Sequence, residues 1–219
     1  MKKESNQPRF WFSIGLYLFQ LILWAFFRRL VDRIVPETEW FAILDATALK
    51  ALFWVCPIVL AVKLGGEKVS HLKKLREKPF PSLAFVILSC SVVAILHSIR
   101  IINGLQYTHV FFQWFFIASS LGAGIIEEFV FRGYYFALHE RLVGFWPAAL
   151  INGVMFTLFH YPEVLLGQSF ICLFSLRGAL IFSMSVAFCW MYYKWRNIAL
   201  NMSIHAIWDL LSFMFCLAG

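Results

Sequence analysis

Charged side chains are too scarce in this sequence for a water-soluble core. Asp, Glu, Lys and Arg make up 14% of its 219 residues, against roughly a quarter in soluble domains. Cysteine pairs at CxxC spacing are missing, which removes a zinc knuckle or dithiol redox motif. Cys56, Cys90, Cys172, Cys189 and Cys216 are scattered, mostly in apolar runs, and read as small buried apolar residues. No internal repeat or low-complexity stretch is visible, and there is no room for a soluble domain. A small-residue cleavage site is also absent after the first apolar run, which ends Phe26-Phe27-Arg28-Arg29. The start therefore reads as a retained span rather than a signal peptide.

What is abundant is apolar surface: 61% hydrophobic residues and 19% aromatics, with 25 Phe and 9 Trp. A membrane span needs about 20 mostly apolar residues. Candidates lie near Phe10–Phe27, Phe41–Val62, Pro81–Ile99, Phe111–Leu138, Phe145–Tyr161, Phe170–Tyr193 and Asn197–Leu217. The expectation is an all-α, polytopic transmembrane helix bundle of about seven spans, forming a single integral membrane domain over 1–219. The fourth run is longer than a span requires, and Gly122 and Gly124 are expected to mark a break in it.

The net charge of +7 lies in short loops between apolar runs. That distribution orients a membrane protein and does not describe a nucleic-acid groove. Lys63, Lys68, Lys73, Lys74, Arg76 and Lys78 outnumber Glu67 and Glu77 in one loop, which is expected to face the cytoplasm. Counting spans puts the N-terminus and the His139–Arg141 and Lys194–Arg196 turns on the same side. Arg28, Arg29 and Arg33 fall on the other and run against this orientation. Trp190, Tyr192, Tyr193 and Trp195 read as an interfacial aromatic belt.

Ionisable groups inside spans are rare, because each costs roughly 2.5–3.5 kcal/mol at mid-membrane. Glu127, Glu128 and Arg132 nevertheless fall in the fourth run, His160 in the fifth, and His205 with Asp209 in the seventh. At 3.6 residues per turn, Glu128 and Arg132 share a face and can form an ion pair. Glu127 points about a quarter-turn away, outside that pair. Phe156 with His160, and His205 with Asp209, repeat the i,i+4 relation; in the second pair the carboxylate can orient the imidazole. Rises of about 1.5 Å per residue bring these groups near one depth. Such a meeting allows water activation, with Glu127 as general base, one imidazole sharing the water and the other stabilising an oxyanion.

Three other readings are open. The polar cluster can simply hold helices together in a non-catalytic immunity or scaffold protein. Asp45, Lys50 and Arg177, charged but without a motif, read as structural, lining a water-filled cavity or serving as counter-ions; they also suggest a transporter, although the inverted repeats of that class are absent. Glu127, His160 and His205 can also ligate zinc, but no HExxH motif is present; no GxSxG marks a serine nucleophile, and Ser203 faces away from His205. His97 and Arg100 read as interfacial, and His71 and His109 as loop residues.

Glu127-Glu128-Phe129-Val130-Phe131-Arg132, Phe156 to His160, and His205 to Asp209 resemble the EExxxR, FxxxH and HxxxN/D motifs of one family. It is the CAAX-protease and bacteriocin-processing (CPBP) family of intramembrane proteases. The resemblance covers about 122–211, with a family-like catalytic core over about 110–217. It implies an endopeptidase in which Glu127 and His160 activate water, with His205 and Asp209 as the oxyanion or orienting pair. Glu128, Arg132 and Phe156 would support the site. Asp209 stands where prenyl-protein-processing members carry Asn; an ionised Asp cannot donate a hydrogen bond, so an orienting role suits it better. No cofactor is expected, with zinc the alternative. The implied partners are the bilayer, in particular a bacterial cell membrane, and a lipidated, secreted or sorted protein or peptide cut near the membrane or its C-terminus.

Overall fold

The computed structural model describes residues 7–35, 38–64, 114–167 and 169–214. Helices are the only extended regular elements among them: α1 (Gln7–Ile34), α2 (Glu39–Leu44), α3 (Cys56–Leu64), α4 (Trp114–Glu128), α5 (Ala137–Val143), α6 (Phe145–Phe159), α7 (Leu176–Trp195) and α8 (Ile198–Met214). Wider π-helical turns at Asp45–Leu49 and Ala51–Val55 join α2 to α3, and one at Phe129–Phe136 joins α4 to α5. Four stretches are long and apolar enough to cross a membrane: Gln7–Val31, Asp45–Leu64, Trp114–Val143 and Leu176–Trp195. The protein is thus an integral membrane helix bundle. Helices suit lipid because each satisfies its own backbone hydrogen bonds.

Several boundaries differ from expectation. The run from Phe170 is not one helix. Ser169 caps a short 3₁₀ turn over Phe170–Phe174, and Ser175 caps α7 by accepting a hydrogen bond from the Gly178 amide at 3.1 Å. Two hydroxyls that compete for backbone groups split the run. The fifth expected span, α6, is only 15 residues long and ends at Phe159, with His160 as its C-cap. The expected span at Pro81–Ile99 lies outside the described residues, as do His71, His97, Arg100, His109, Cys90, Cys216 and most of the basic loop after Lys63. Of the other cysteines, Cys189 is buried as expected, Cys172 is half-buried, and Cys56 is exposed. Cys56 sits on the outer face of its helix, where a thiol is as compatible with lipid as with a core.

Gly122 and Gly124 do not break the fourth helix, which runs through both. Their missing side chains instead let neighbours come close. A Cβ on Gly124 would lie 2.9 Å from both the Ala206 amide nitrogen and the Met202 carbonyl oxygen of α8. A Cβ on Gly122 would lie 2.4 Å from Thr47 Cγ2. Since backbone atoms cannot yield as a side chain can, Gly124→Ala is expected to force α4 and α8 apart. The cost should be about 1–3 kcal/mol, as for other overpacked sites. Thermal unfolding of the detergent-solubilised chain measures it, and a wild-type transition would refute this reading of the crossing.

The centre is aromatic. Tyr17, Trp24, Trp54, Phe131, Tyr134, Tyr135, Phe156 and Phe159 form one buried cluster between α1, the Ala51–Val55 turn, the Phe129–Phe136 turn and α6. Two of its tyrosine hydroxyls are tied down. Tyr17 donates to the Met155 carbonyl at 3.0 Å, and Tyr135 donates to Gln20, which in turn donates to the Trp54 carbonyl. Ser13 and His139 meet at 2.8 Å, both fully buried. His139 is therefore an interior residue rather than part of an exposed turn, which forms one step later at Gly144 (φ 84°). Arg28 pairs with Asp45 at 3.0 Å, so one of the arginines at odds with the orientation has a local electrostatic reason for its position.

Candidate active site

The polar side chains of the bundle converge where α4 crosses α8. Glu127 and Glu128 end α4, and both are buried. Successive helix residues point about 100° apart, so the two carboxylates face different partners.

Glu128 faces the anchoring side. Its Oε1 accepts from Arg132 Nη1 at 2.9 Å and meets His205 Nδ1 at 2.8 Å, and its Oε2 accepts from Asn201 Nδ2 at 3.3 Å. The expected Glu128–Arg132 pair is present, with both side chains at 0% exposure. Arg132 also donates Nη2 to Ser185 at 2.9 Å, and its guanidinium lies 4.4 Å from the Phe156 ring centroid and 5.2 Å from that of Phe188. Removing two charges from water costs several kcal/mol per ion unless hydrogen bonds and geometry offset it. Here the carboxylate has three partners, and the cation has two polar partners and two aromatic faces.

The π-helical turn at Phe129–Phe136 belongs to this arrangement. A π turn replaces the i→i+4 bond by a wider one and leaves carbonyls open to other donors. Asn152 of α6 donates to the Phe131 carbonyl at 2.8 Å, and its Oδ1 accepts from Ser185 and Cys189 at 3.2 and 3.3 Å. One amide thus links α6, α7 and the turn that carries Arg132.

Glu127 faces the other way. Its Oε1 forms an ion pair with Lys50, which sits between the two π turns of the second span. Its Oε2 is buried without a hydrogen-bond partner, 3.7 Å from His160 Nε2 and 3.8 Å from His205 Nε2. Both rings are held through Nδ1. His160 donates Nδ1–H to the Phe156 carbonyl at 2.9 Å, because a carbonyl can only accept, and His205 offers Nδ1 to Glu128. Each Nε2 is thereby turned toward Glu127, because a hydrogen bond at one ring nitrogen fixes the direction of the other.

The placement of the sequence candidates is now clear. Glu127, His160 and His205 come together, and Glu128, Arg132 and Phe156 surround them. Asp209 approaches His205 only at Nε2, with Oδ2 at 3.7 Å. The carboxylate that takes the Nδ1 hydrogen is Glu128, three-dimensionally near but remote in sequence. Lys50, a charge without a motif in the sequence, is the counter-ion of Glu127, and Asn201 is a further residue of the site. Asn201 had a visible signal, since Asn201, His205 and Asp209 recur every four residues on α8. Lys50 had none beyond being charged inside an apolar run.

A cleft of ≈ 650 Å³ opens onto this cluster. His160, His205 and Asp209 line its polar end, and Leu180, Ile181, Met184 and Trp208 form apolar walls. Arg177, a charge without a motif in the sequence, also lines the cleft and stacks at 5.7 Å from the Tyr161 ring. Among the described residues no group of three or more His, Cys, Asp or Glu side chains is arranged to hold a metal ion. The Lys50 ammonium moreover occupies one side of the Glu127 carboxylate.

Two imidazoles line a cleft within the membrane bundle, with the buried Glu127 carboxylate behind them. Residues 109–211 match the family model described as type II CAAX prenyl endopeptidase Rce1-like. This agrees with the CPBP resemblance read from the three motifs and supports a CAAX-type membrane protease. The match contains every motif residue and leaves out Lys50. No curated protein and no solved structure matches the chain.

Proposed function

We propose that this chain is an intramembrane endopeptidase in which Glu127 activates water, with 110–217 as its catalytic core. The observation that carries the reading is the unpartnered Glu127 Oε2 facing two Nε2 atoms at 3.7 and 3.8 Å. Those separations are too long for direct hydrogen bonds and short enough for one bridging water. With Nδ1–H fixed on each ring and a proton kept on His205 Nε2, one water can donate to Glu127 Oε2 and His160 Nε2 and accept from His205 Nε2.

In the proposed step, Glu127 Oε2 takes a proton from the water as its oxygen bonds to the peptide carbonyl carbon. The carbonyl becomes an oxyanion. His205, with the carboxylates of Glu127, Glu128 and Asp209 within 3.8 Å, is suited to keep a proton on Nε2 and offer it to that oxygen. As the C–N bond breaks, the proton held by Glu127 passes through His160 to the leaving nitrogen, which departs as an amine. No metal enters this scheme, because the Glu127 carboxylate already pairs with the Lys50 ammonium, a cation beside which a metal ion would be repelled. Elemental analysis of active protein tests that: stoichiometric zinc would overturn it.

Asp209 is assigned to orienting His205 rather than to the oxyanion. Asp209→Ala is then expected to lower cleavage about tenfold, while Asp209→Asn, which keeps the polar contact, stays within a few-fold of wild type. A large loss in Asp209→Asn alone would make the charge essential.

The substrate class proposed is a lipidated, secreted or sorted protein cut close to a bacterial cell membrane, supported by the apolar walls of the cleft and the matched family. The decisive experiment compares new peptide termini by mass spectrometry in membranes of cells expressing wild-type or Glu127→Gln protein. Termini that depend on Glu127 support proteolysis. Identical profiles at equal protein levels would favour the non-catalytic scaffold.

A further inference from the structure

We infer that Lys50, from the first half of the chain and outside the matched family segment, is a positioning residue that aims the Glu127 carboxylate at the two imidazoles. The inference rests on the proposed role of Glu127 as base, but its structural part stands alone.

Three observations support it. The Lys50 ammonium binds Glu127 at Oε1, leaving Oε2 as the oxygen that faces His160 and His205. A carboxylate on a long Glu side chain has several rotamers, and pinning one oxygen selects one of them. Lys50 is itself constrained: its Nζ lies 5.0 Å from the Trp54 ring centroid, and Trp54 is buried with its carbonyl held by Gln20. The backbone carrying Lys50 is also set at a fixed distance from α4. Thr47 and Ala46 press against Gly122, where a Cβ would lie 2.4 Å from Thr47 Cγ2 and 3.0 Å from the Ala46 carbonyl oxygen. Gly122 and Glu127 are five residues apart on one helix, and Thr47 and Lys50 three apart on the other. The close crossing therefore brings the ammonium within reach of the acid.

A second reading treats Lys50 as no more than a counter-ion that makes a buried carboxylate tolerable. The two differ in what arginine can replace and in which kinetic constant moves. Misplacing a reacting group by about 1 Å can cost about 10²-fold in rate, whereas a counter-ion affects folding first.

The test uses the full-length chain in detergent or membranes, with Lys50→Met, Lys50→Arg and the double variant Lys50→Met/Glu127→Gln. Melting is measured for each, together with Glu127→Gln alone. Each single loss of a partner is expected to lower the melting temperature by several degrees, and the double variant to recover most of that loss. A double variant no more stable than the singles would overturn the pair. Cleavage is followed on a site identified by the Glu127-dependent termini. Lys50→Met is expected to lose about 100-fold in kcat with KM within a few-fold, and Lys50→Arg to regain at least a tenth of wild-type kcat. Wild-type turnover by Lys50→Met, or an equal loss in Lys50→Arg and Lys50→Met, would overturn the positioning role. If wild-type protein generates no termini, it is the proteolytic reading that fails, and the positioning role with it, while melting still decides the ion pair.

Discussion

Glu127→Gln is expected to lower peptide cleavage by about 10²–10⁴-fold, the usual contribution of a general base. Glutamine keeps the shape of the side chain but has no oxygen able to take a proton from water. The substitution also leaves the Lys50 ammonium without its carboxylate, so some loss of folded protein accompanies the loss of activity. The Lys50→Met/Glu127→Gln double variant separates the two effects. It replaces an ion pair by neutral groups of similar size, which often preserves stability. Protein that melts like wild type but does not cleave would tie the loss to chemistry. Near-wild-type cleavage by a folded Glu127→Gln chain would remove Glu127 from the mechanism.

The largest effect on stability is expected at Arg132. Arg132→Met leaves Glu128 fully buried without its cation, and breaking a buried pair from one side costs about 3–5 kcal/mol. His205 and Asn201 still contact that carboxylate, but neither supplies a permanent charge. Arg132→Lys is expected to be only a partial remedy. A lysine carries the charge yet lacks the fork that reaches Glu128 and Ser185 together, and it lacks the flat face that lies between Phe156 and Phe188. Yield and melting temperature of purified protein measure both variants. An Arg132→Met chain as stable as wild type would show that the Glu128 carboxylate is not held as described.

The helical membrane bundle was legible because apolar length and scarce charge are properties of the chain itself. The pairing of Glu128 with Arg132 was legible too, since an i,i+4 contact depends only on helix geometry. What escaped the sequence required two helices at once. Glu128 and His205 are 77 residues apart, so nothing local indicated that Glu128, rather than Asp209, would take the Nδ1 hydrogen. The same holds for Lys50 and Glu127, also 77 apart. Glycine weakens a helix, so Gly122 and Gly124 suggest a break in the sequence alone; in a packed bundle the same lack of a side chain permits close crossing. The split at Ser175 depended on hydroxyls that cap rather than continue a helix, a signal present in the sequence but weaker than the apolar run around it.

The shortness of α6 has a consequence for the surrounding lipid. Fifteen residues rise only about 22 Å, well below the roughly 30 Å hydrocarbon thickness of a typical bilayer. A helix that falls short is accommodated by thinning of the adjacent leaflet. His160 caps that helix, and Phe170, Ile171, Phe174 and Leu176, which follow it in the chain, are exposed apolar side chains. A dimple of that kind would bring headgroups and bulk solvent toward the mouth of the cleft and give the hydrolytic reactant a short way in.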